Sequence, residues 1–367
     1  DEPTERVVLV GHSTGGLIIR SLLQRSYPLA GEDPAEHVDK VFTYATPQGG
    51  IHFDIAGGLL EGVRDLIGFR NSDDFGPDRM YQYLSPDAPA LPARAEAPEG
   101  FEPRSLDGRF PAERFFSLVG TNAADYGPAS RVVGPQSDGL VQVASAYVKG
   151  GPRAYVHRSH SGRYGVVNSE EGYQNLRRFL FGDMRVEILL DDLDLAEASA
   201  PAAEVFHQAE VQVAVRGLPV LLHDQLLAHH SPIPLEWRKD QEGEPIALFT
   251  LFLIRALAGE TRVCRYAVHL AVHRLERRQG FLVFADHLEQ IPLWADDLVV
   301  DLVETAGGYE GRYAWRSQQP RPGADPERDL EPVASGGRWE VRIGLPHGAH
   351  APLGPDATLL MRASPWS

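Results

Sequence analysis

Residues Val7–Gly16 read VVLVGHSTGG. Four apolar residues, Val7–Val10, have the length and β-branched content of a buried strand. Gly11-His12-Ser13-Thr14-Gly15 follows, and Leu17–Leu23 then carries apolar residues at helical spacing. A G-x-S-x-G between strand and helix predicts a sharp turn that thrusts the Ser13 hydroxyl out of the sheet. Gly11 and Gly15 are expected to be glycine because a side chain in so tight a turn would collide. The helix that starts beside Ser13 aims free backbone N–H groups at whatever lies over the hydroxyl. Ser13 is therefore a candidate nucleophile, and an ordinary Gly-rich turn is the alternative.

The 367 residues are enough for two domains, each with a sizeable core. A hydrophobic content of 43% and a charged content of 23% are ordinary for a globular protein. The formal charge is -16, which argues against nonspecific nucleic-acid binding and against docking on anionic lipid. The lone cysteine, Cys264, allows no internal disulfide and fits a reducing, cytoplasmic-type compartment. No apolar run reaches membrane-span length, so no transmembrane segment is expected.

Further along, Tyr27–Ala35 is rich in turn residues, and Val38–Tyr44 reads as the next buried strand. Thr46-Pro47-Gln48-Gly49-Gly50 makes a loop at that strand's end, where α/β sheets bind ligands. Ile51–Phe69 has apolar residues at helical spacing, and Ser85–Pro103 is rich in Pro and Ala. The stretch from about 51 to 112 interrupts the alternation of strand and helix and reads as a cap insertion over the site. Phe115–Gly120 and Arg153–Val156 read as strands, and Ser169–Leu180 as a helix. Between them stand Asp125, Ser137-Asp138-Gly139-Leu140-Val141 with Ser145, His157, and Arg158-Ser159-His160-Ser161-Gly162.

On these motifs, over roughly 7–183, the chain resembles the α/β-hydrolase superfamily, and within it the lipase-like branch with GHSxGG. The resemblance implies a mostly parallel sheet with flanking helices and a Ser-His-Asp serine hydrolase. It implies Ser13 as nucleophile, Asp138 (in D-G-L-V…S) as acid and His160 as base. Asp125 is the competing acid and His157 the competing base. The order Ser13, Asp138, His160 is that of the fold. His12 is expected to point away from Ser13 and to serve as packing. The backbone N–H of Thr14 is the expected oxyanion donor. Some calcium-dependent lipases carry an aspartate where this chain has Gly162, so no metal is carried over, and no cofactor is called for. In the family the nucleophile strand lies mid-sheet, which implies a preceding segment or chain, on the order of 100 residues, that completes the sheet and supplies the second oxyanion donor.

The chemistry needs these residue types. A serine hydroxyl is a weak nucleophile until a base takes its proton, and histidine does so near neutral pH. A carboxylate fixes the tautomer and stabilises the imidazolium. The expected substrate is an acyl-ester or lipid-like molecule, although thioesters and amides use the same machinery. A hydrolase-like scaffold that binds a partner through the cap or β-domain is the competing function.

Residues 184–367 follow a different pattern. Val186, Ile188 and Leu190 alternate with other residues, as do Val211–Val215, Cys264–Val272, Leu298–Leu302, Trp339–Ile343 and Leu359–Ala363. Period two at this density predicts half-buried antiparallel strands and a β-sandwich-like accessory domain. Cys264 falls on the apolar face and should be buried and inert. His269 and His273 share the more polar face of one strand and read as surface residues. Ser317–Gly337 is rich in Pro, Gly and charge and reads as a long exposed loop.

Overall fold

The computed structural model describes residues 5–50, 77–89, 95–125, 133–195, 203–235, 244–261, 263–278, 287–305, 308–321, 323–335 and 338–367. The chain divides into two compact units: 1–180 with 229–231, and 181–228 with 232–367.

The first unit holds a four-stranded parallel sheet in the order β1-β2-β3-β4 (Val7–His12, Val38–Tyr44, Phe115–Gly120, Arg153–Val156). Its helices are α1 (Thr14–Ser21), α2 (Tyr27–Ala30), α3 (Pro34–His37), α4 (Pro77–Leu84) and α5 (Glu170–Phe181). A π-helical turn, Leu22–Ser26, continues α1. Parallel strands covered on both faces read as unbroken apolar runs, and FFSLVG of β3 is buried at all six positions. Phe42 and Phe116 stack at 4.8 Å on one face, and Phe179 of α5 packs 5.2 Å from Phe116. Neighbouring residues point the other way: Val41 and Phe115 join Leu23, Val38, Leu106 and Phe110 in a second cluster. β1 pairs with β2, and its Val7, Val8 and Val10 are about half exposed at 51%, 42% and 50%.

Because all four strands run the same way, their C-terminal ends share one edge of the sheet. Ser13 follows β1, Thr46 follows β2, Thr121 follows β3 and His157 follows β4. The cap expected over about 51–112 lies partly outside the described residues (51–76 and 90–94). The described part is α4 with the turn that follows it to residue 89, and the stretch 95–112. Two arginines hold it to the segment after Ser13. Fully buried Arg20 donates to the carbonyls of Gln48 (2.6 Å), Pro103 (2.7 Å) and Ser105 (2.6 Å), and to Gln24 Oε1 (2.9 Å). Arg25 donates to the carbonyls of Gln82, Ser85 and Ala88.

The second unit is antiparallel β-rich. One sheet of seven strands runs β13-β12-β11-β10-β6-β7 (Arg328–Asp329, Gly308–Trp315, His287–Thr305, Cys264–Arg278, Ala203–Val215, Leu221–Gln225), with β8 (Ile233–Pro234) also on β6. The other runs β14-β15-β16-β5-β9 (Val333–Ser335, Arg338–Gly344, Thr358–Pro365, Met184–Asp191, Ile246–Leu253). A short helix, α6 (His347–Leu353), precedes β16. The alternating residues of both sheets fill one core: Val211, Val268 and Val300 from the first, Ile188, Ile343 and Met361 from the second. Trp315, fully buried, donates its indole N–H to the Gly344 carbonyl (2.9 Å) and so ties the two sheets together.

Several expectations for this half are met and others are corrected. Cys264 is buried in the core. β9, IALFTLFL, lies outside the alternating runs read from the sequence, and its apolar residues are buried with little alternation. β12 was not foreseen because Gly308 and Gly311 dilute its pattern. The stretch 317–337 is not all loop, since β13 and β14 form within it by pairing with β12 and β15. His269 and His273 are each paired with a carboxylate rather than simply solvated: His269 with Asp297 (2.7 Å) and His273 with Glu210 (3.0 Å). No helix among the described residues is long and apolar enough to cross a membrane.

Candidate functional site

Ser13 sits between β1 and α1 with φ 53° and ψ -128°. That is a sparsely populated conformation for a residue with a Cβ, and it costs on the order of 1–3 kcal/mol. The surroundings hold it. Ser13 N–H donates to the Tyr44 carbonyl (2.9 Å), and its own carbonyl accepts from Gly16 N–H (3.1 Å) and Thr46 Oγ1 (2.9 Å).

The glycine requirement differs in part from expectation. A Cβ on Gly11 would meet Gly16 N at 2.8 Å and Ile19 Cδ1 at 2.9 Å, so Gly11 is required. A Cβ on Gly15 would meet nothing within 4 Å. The second required glycine is Gly16, whose Cβ would run into the Thr46 side chain. At Gly16 the crowding comes from the neighbouring strand's loop, whereas at Gly11 it comes from the turn itself.

His160 joins Ser13 to Asp138. Its Nε2 lies 3.0 Å from Ser13 Oγ, and its Nδ1 lies 2.9 Å from Asp138 Oδ2. Ser13 is half-buried, while Asp138 and His160 are 1% and 4% exposed. Asp138 Oδ1 accepts from the backbone N–H groups of Leu140 (3.0 Å) and Val141 (2.8 Å), so both carboxylate oxygens are engaged. The loops carrying acid and imidazole are joined directly: His160 N–H donates to the Asp138 carbonyl (2.9 Å). The competitors do not converge here. Asp125 is exposed. His157 is exposed too, with its Nδ1 3.4 Å from Thr121 Oγ1.

His12 does not point away from this group. Its ring lies 4.9 Å from the His160 ring, and its Nε2 donates to the His160 carbonyl (2.9 Å). The alternation that would have turned it aside ends at Ser13, whose φ and ψ leave the β region. Burial, and then the neighbouring His160, push the His12 pKa below its ordinary value.

Two further residues escaped the sequence analysis. Gly120 ends β3, and a Cβ there would meet the Arg158 carbonyl at 2.7 Å and Asp138 Cβ at 2.9 Å. Its small size lets Asp138 approach; the only signal in the sequence was a glycine closing an apolar strand. Arg20, a charged residue of α1, is fully buried, and burial brings its pKa down to about 9.

An imidazole held between a carboxylate and a hydroxyl can take the hydroxyl proton as that oxygen attacks an electrophile, and the carboxylate then stabilises the imidazolium. Thr14 is the first residue of α1, where helical N–H groups lack partners within the helix. Among the described residues, no three His, Cys, Asp or Glu side chains are grouped to hold a metal ion. Comparison with family models, with curated proteins and with solved structures finds no match for this chain.

Proposed function

We propose that this chain is a serine hydrolase of carboxylic esters, lipase- or phospholipase-like, built as part of an α/β-hydrolase followed by a β-sandwich-like domain. The observation that carries this is His160, hydrogen-bonded at one nitrogen to Ser13 and at the other to Asp138. The backbone strain at Ser13 supports it, because strain of this kind persists only where the surroundings enforce it. Ser13 Oγ attacks the acyl carbonyl while His160 Nε2 takes its proton. Thr14 N–H donates to the oxyanion. His160 returns the proton to the leaving alcohol. An acyl-enzyme forms, and water activated by His160 releases the acid. The strand-end edge of a parallel sheet is where such a site belongs. The exposed edge of β1 is assigned to pairing with a further strand, in line with its half-exposed valines.

The test is labelling with a fluorophosphonate together with turnover of a short p-nitrophenyl ester. Labelling at Ser13, and loss of both signals in Ser13→Ala with its circular dichroism unchanged, is expected. Turnover retained in Ser13→Ala overturns the proposal.

A further inference from the structure

His160 is held from two sides, by its backbone and by its ring on each. Asp138 takes one side: its carbonyl accepts the His160 backbone N–H (2.9 Å), and its Oδ2 lies 2.9 Å from the ring Nδ1. The adjacent residues His12 and Ser13 take the other. Ser13 Oγ lies 3.0 Å from the ring Nε2, and His12 Nε2 donates to the His160 carbonyl (2.9 Å). Every hydrogen-bonding group of His160 therefore has a partner within these three residues.

The turn between them lets two chain neighbours reach one loop. In a continuous strand, residues 12 and 13 would face opposite sides. Ser13, at φ 53° and ψ -128°, leaves the strand conformation, and the rings of His12 and His160 come to lie 4.9 Å apart. One peptide unit thus links the attacking oxygen's residue to the residue that grips the backbone of its base. A drift of the His160 loop away from Ser13 must also stretch the bond from His12. The carbonyl oxygen only accepts, which assigns the His12 ring proton to Nε2. Burial and the neighbouring His160 favour the uncharged ring. His12 therefore donates without setting a second positive charge beside the imidazolium that forms on His160.

We propose, resting on the reading of Ser13 as nucleophile, that His12 is a positioning residue: its N–H bond to the His160 carbonyl sets the distance between nucleophile and base. His12 acts through His160 alone.

Two substitutions separate the bond from the bulk. His12→Gln brings an amide N–H near the place of the ring Nε2, whereas His12→Phe keeps an aromatic ring and has no donor. Turnover of a short p-nitrophenyl ester by the full chain is measured, with NMR of the proton between His160 Nδ1 and Asp138. In His12→Phe, kcat should fall at least about tenfold with KM within about twofold, because small misplacements of reacting groups are costly. Exchange of the Nδ1 proton with water should be at least about tenfold faster there, since a looser loop opens more often. His12→Gln should bring both back to within about threefold of the unsubstituted chain by restoring a donor. Circular dichroism should be near-native in both. Unchanged kcat or unchanged exchange in His12→Phe overturns the proposal. So does an equal loss in both variants, which would assign the effect to the ring rather than to its N–H. Turnover absent from the unsubstituted chain as well counts against ester hydrolysis, and the exchange rates then decide by themselves whether His12 holds His160.

Discussion

His160 Nε2 lies 3.0 Å from Ser13 Oγ although 147 positions separate the two residues. They leave the sheet from its outermost described strands, β1 and β4, so the segment carrying His160 must reach back across the ends of β2 and β3. The Asp138 backbone bridges that span: its carbonyl takes the His160 N–H, and its side chain takes Nδ1. The acid thus fixes both the position of the loop and the orientation of the ring.

Asp138→Asn should separate orientation from mere presence. An amide facing Nδ1 favours the tautomer with its proton on Nε2, which can no longer accept from Ser13. Esterase kcat should fall on the order of 10³–10⁴-fold, as for other triads of this kind. Steady-state kinetics on an activated ester check this; a loss below tenfold contradicts the role given to Asp138.

Gly16→Ala should cost about 1–3 kcal/mol, because the new methyl group forces Thr46 off the carbonyl of Ser13. Gly15→Ala, which meets open space, should leave stability unchanged or raise it by up to about 0.5 kcal/mol through helix propensity. Urea unfolding midpoints of the two variants provide the comparison.

Gly120→Ala should lower activity more than Tm. The added methyl group meets Asp138 Cβ and the Arg158 carbonyl and moves the acid away from His160. A kcat reduced at least about tenfold, with near-native circular dichroism, is the expected result, because small misplacements of reacting groups are costly.

His12 gives a pH signature. Its folded pKa is lowered, so below the ordinary histidine value of 6.5 the unfolded chain takes up a proton that the folded chain resists. Stability from this group is complete above that value and is lost as the pH falls through the folded pKa. In His12→Gln the drop in Tm between neutral and mildly acidic buffer should be smaller. A Tm profile identical to that of the unsubstituted chain would show that His12 contributes nothing.

Arg20→Met should destabilise the first unit by about 3 kcal/mol, since the buried carbonyl of Gln48 and the partly buried carbonyls of Pro103 and Ser105 lose a charged donor. Arg20→Lys should rescue little, because an ammonium cannot reproduce the guanidinium's planar fan of donors. Thermal unfolding of both variants measures the difference.

Local order was legible in the sequence because it is written in local pattern. β2, β3 and β4 fall where the sequence predicts strands, and the alternating runs at 186–190, 211–215 and 264–272 fall within β5, β6 and β10. The order Ser13, Asp138, His160 was readable only through the resemblance of the motifs around these residues to lipase-like hydrolases. The convergence of those three side chains, however, depends on parallel strands sharing one edge and on backbone bonds between distant loops. The choice of Gly16 over Gly15, the closeness of Gly120 to Asp138 and the burial of Arg20 depend on which chain segment packs against each residue. Short-range periodicity reports the face a residue presents, whereas the identity of its neighbour across a gap is fixed only when the whole chain has packed.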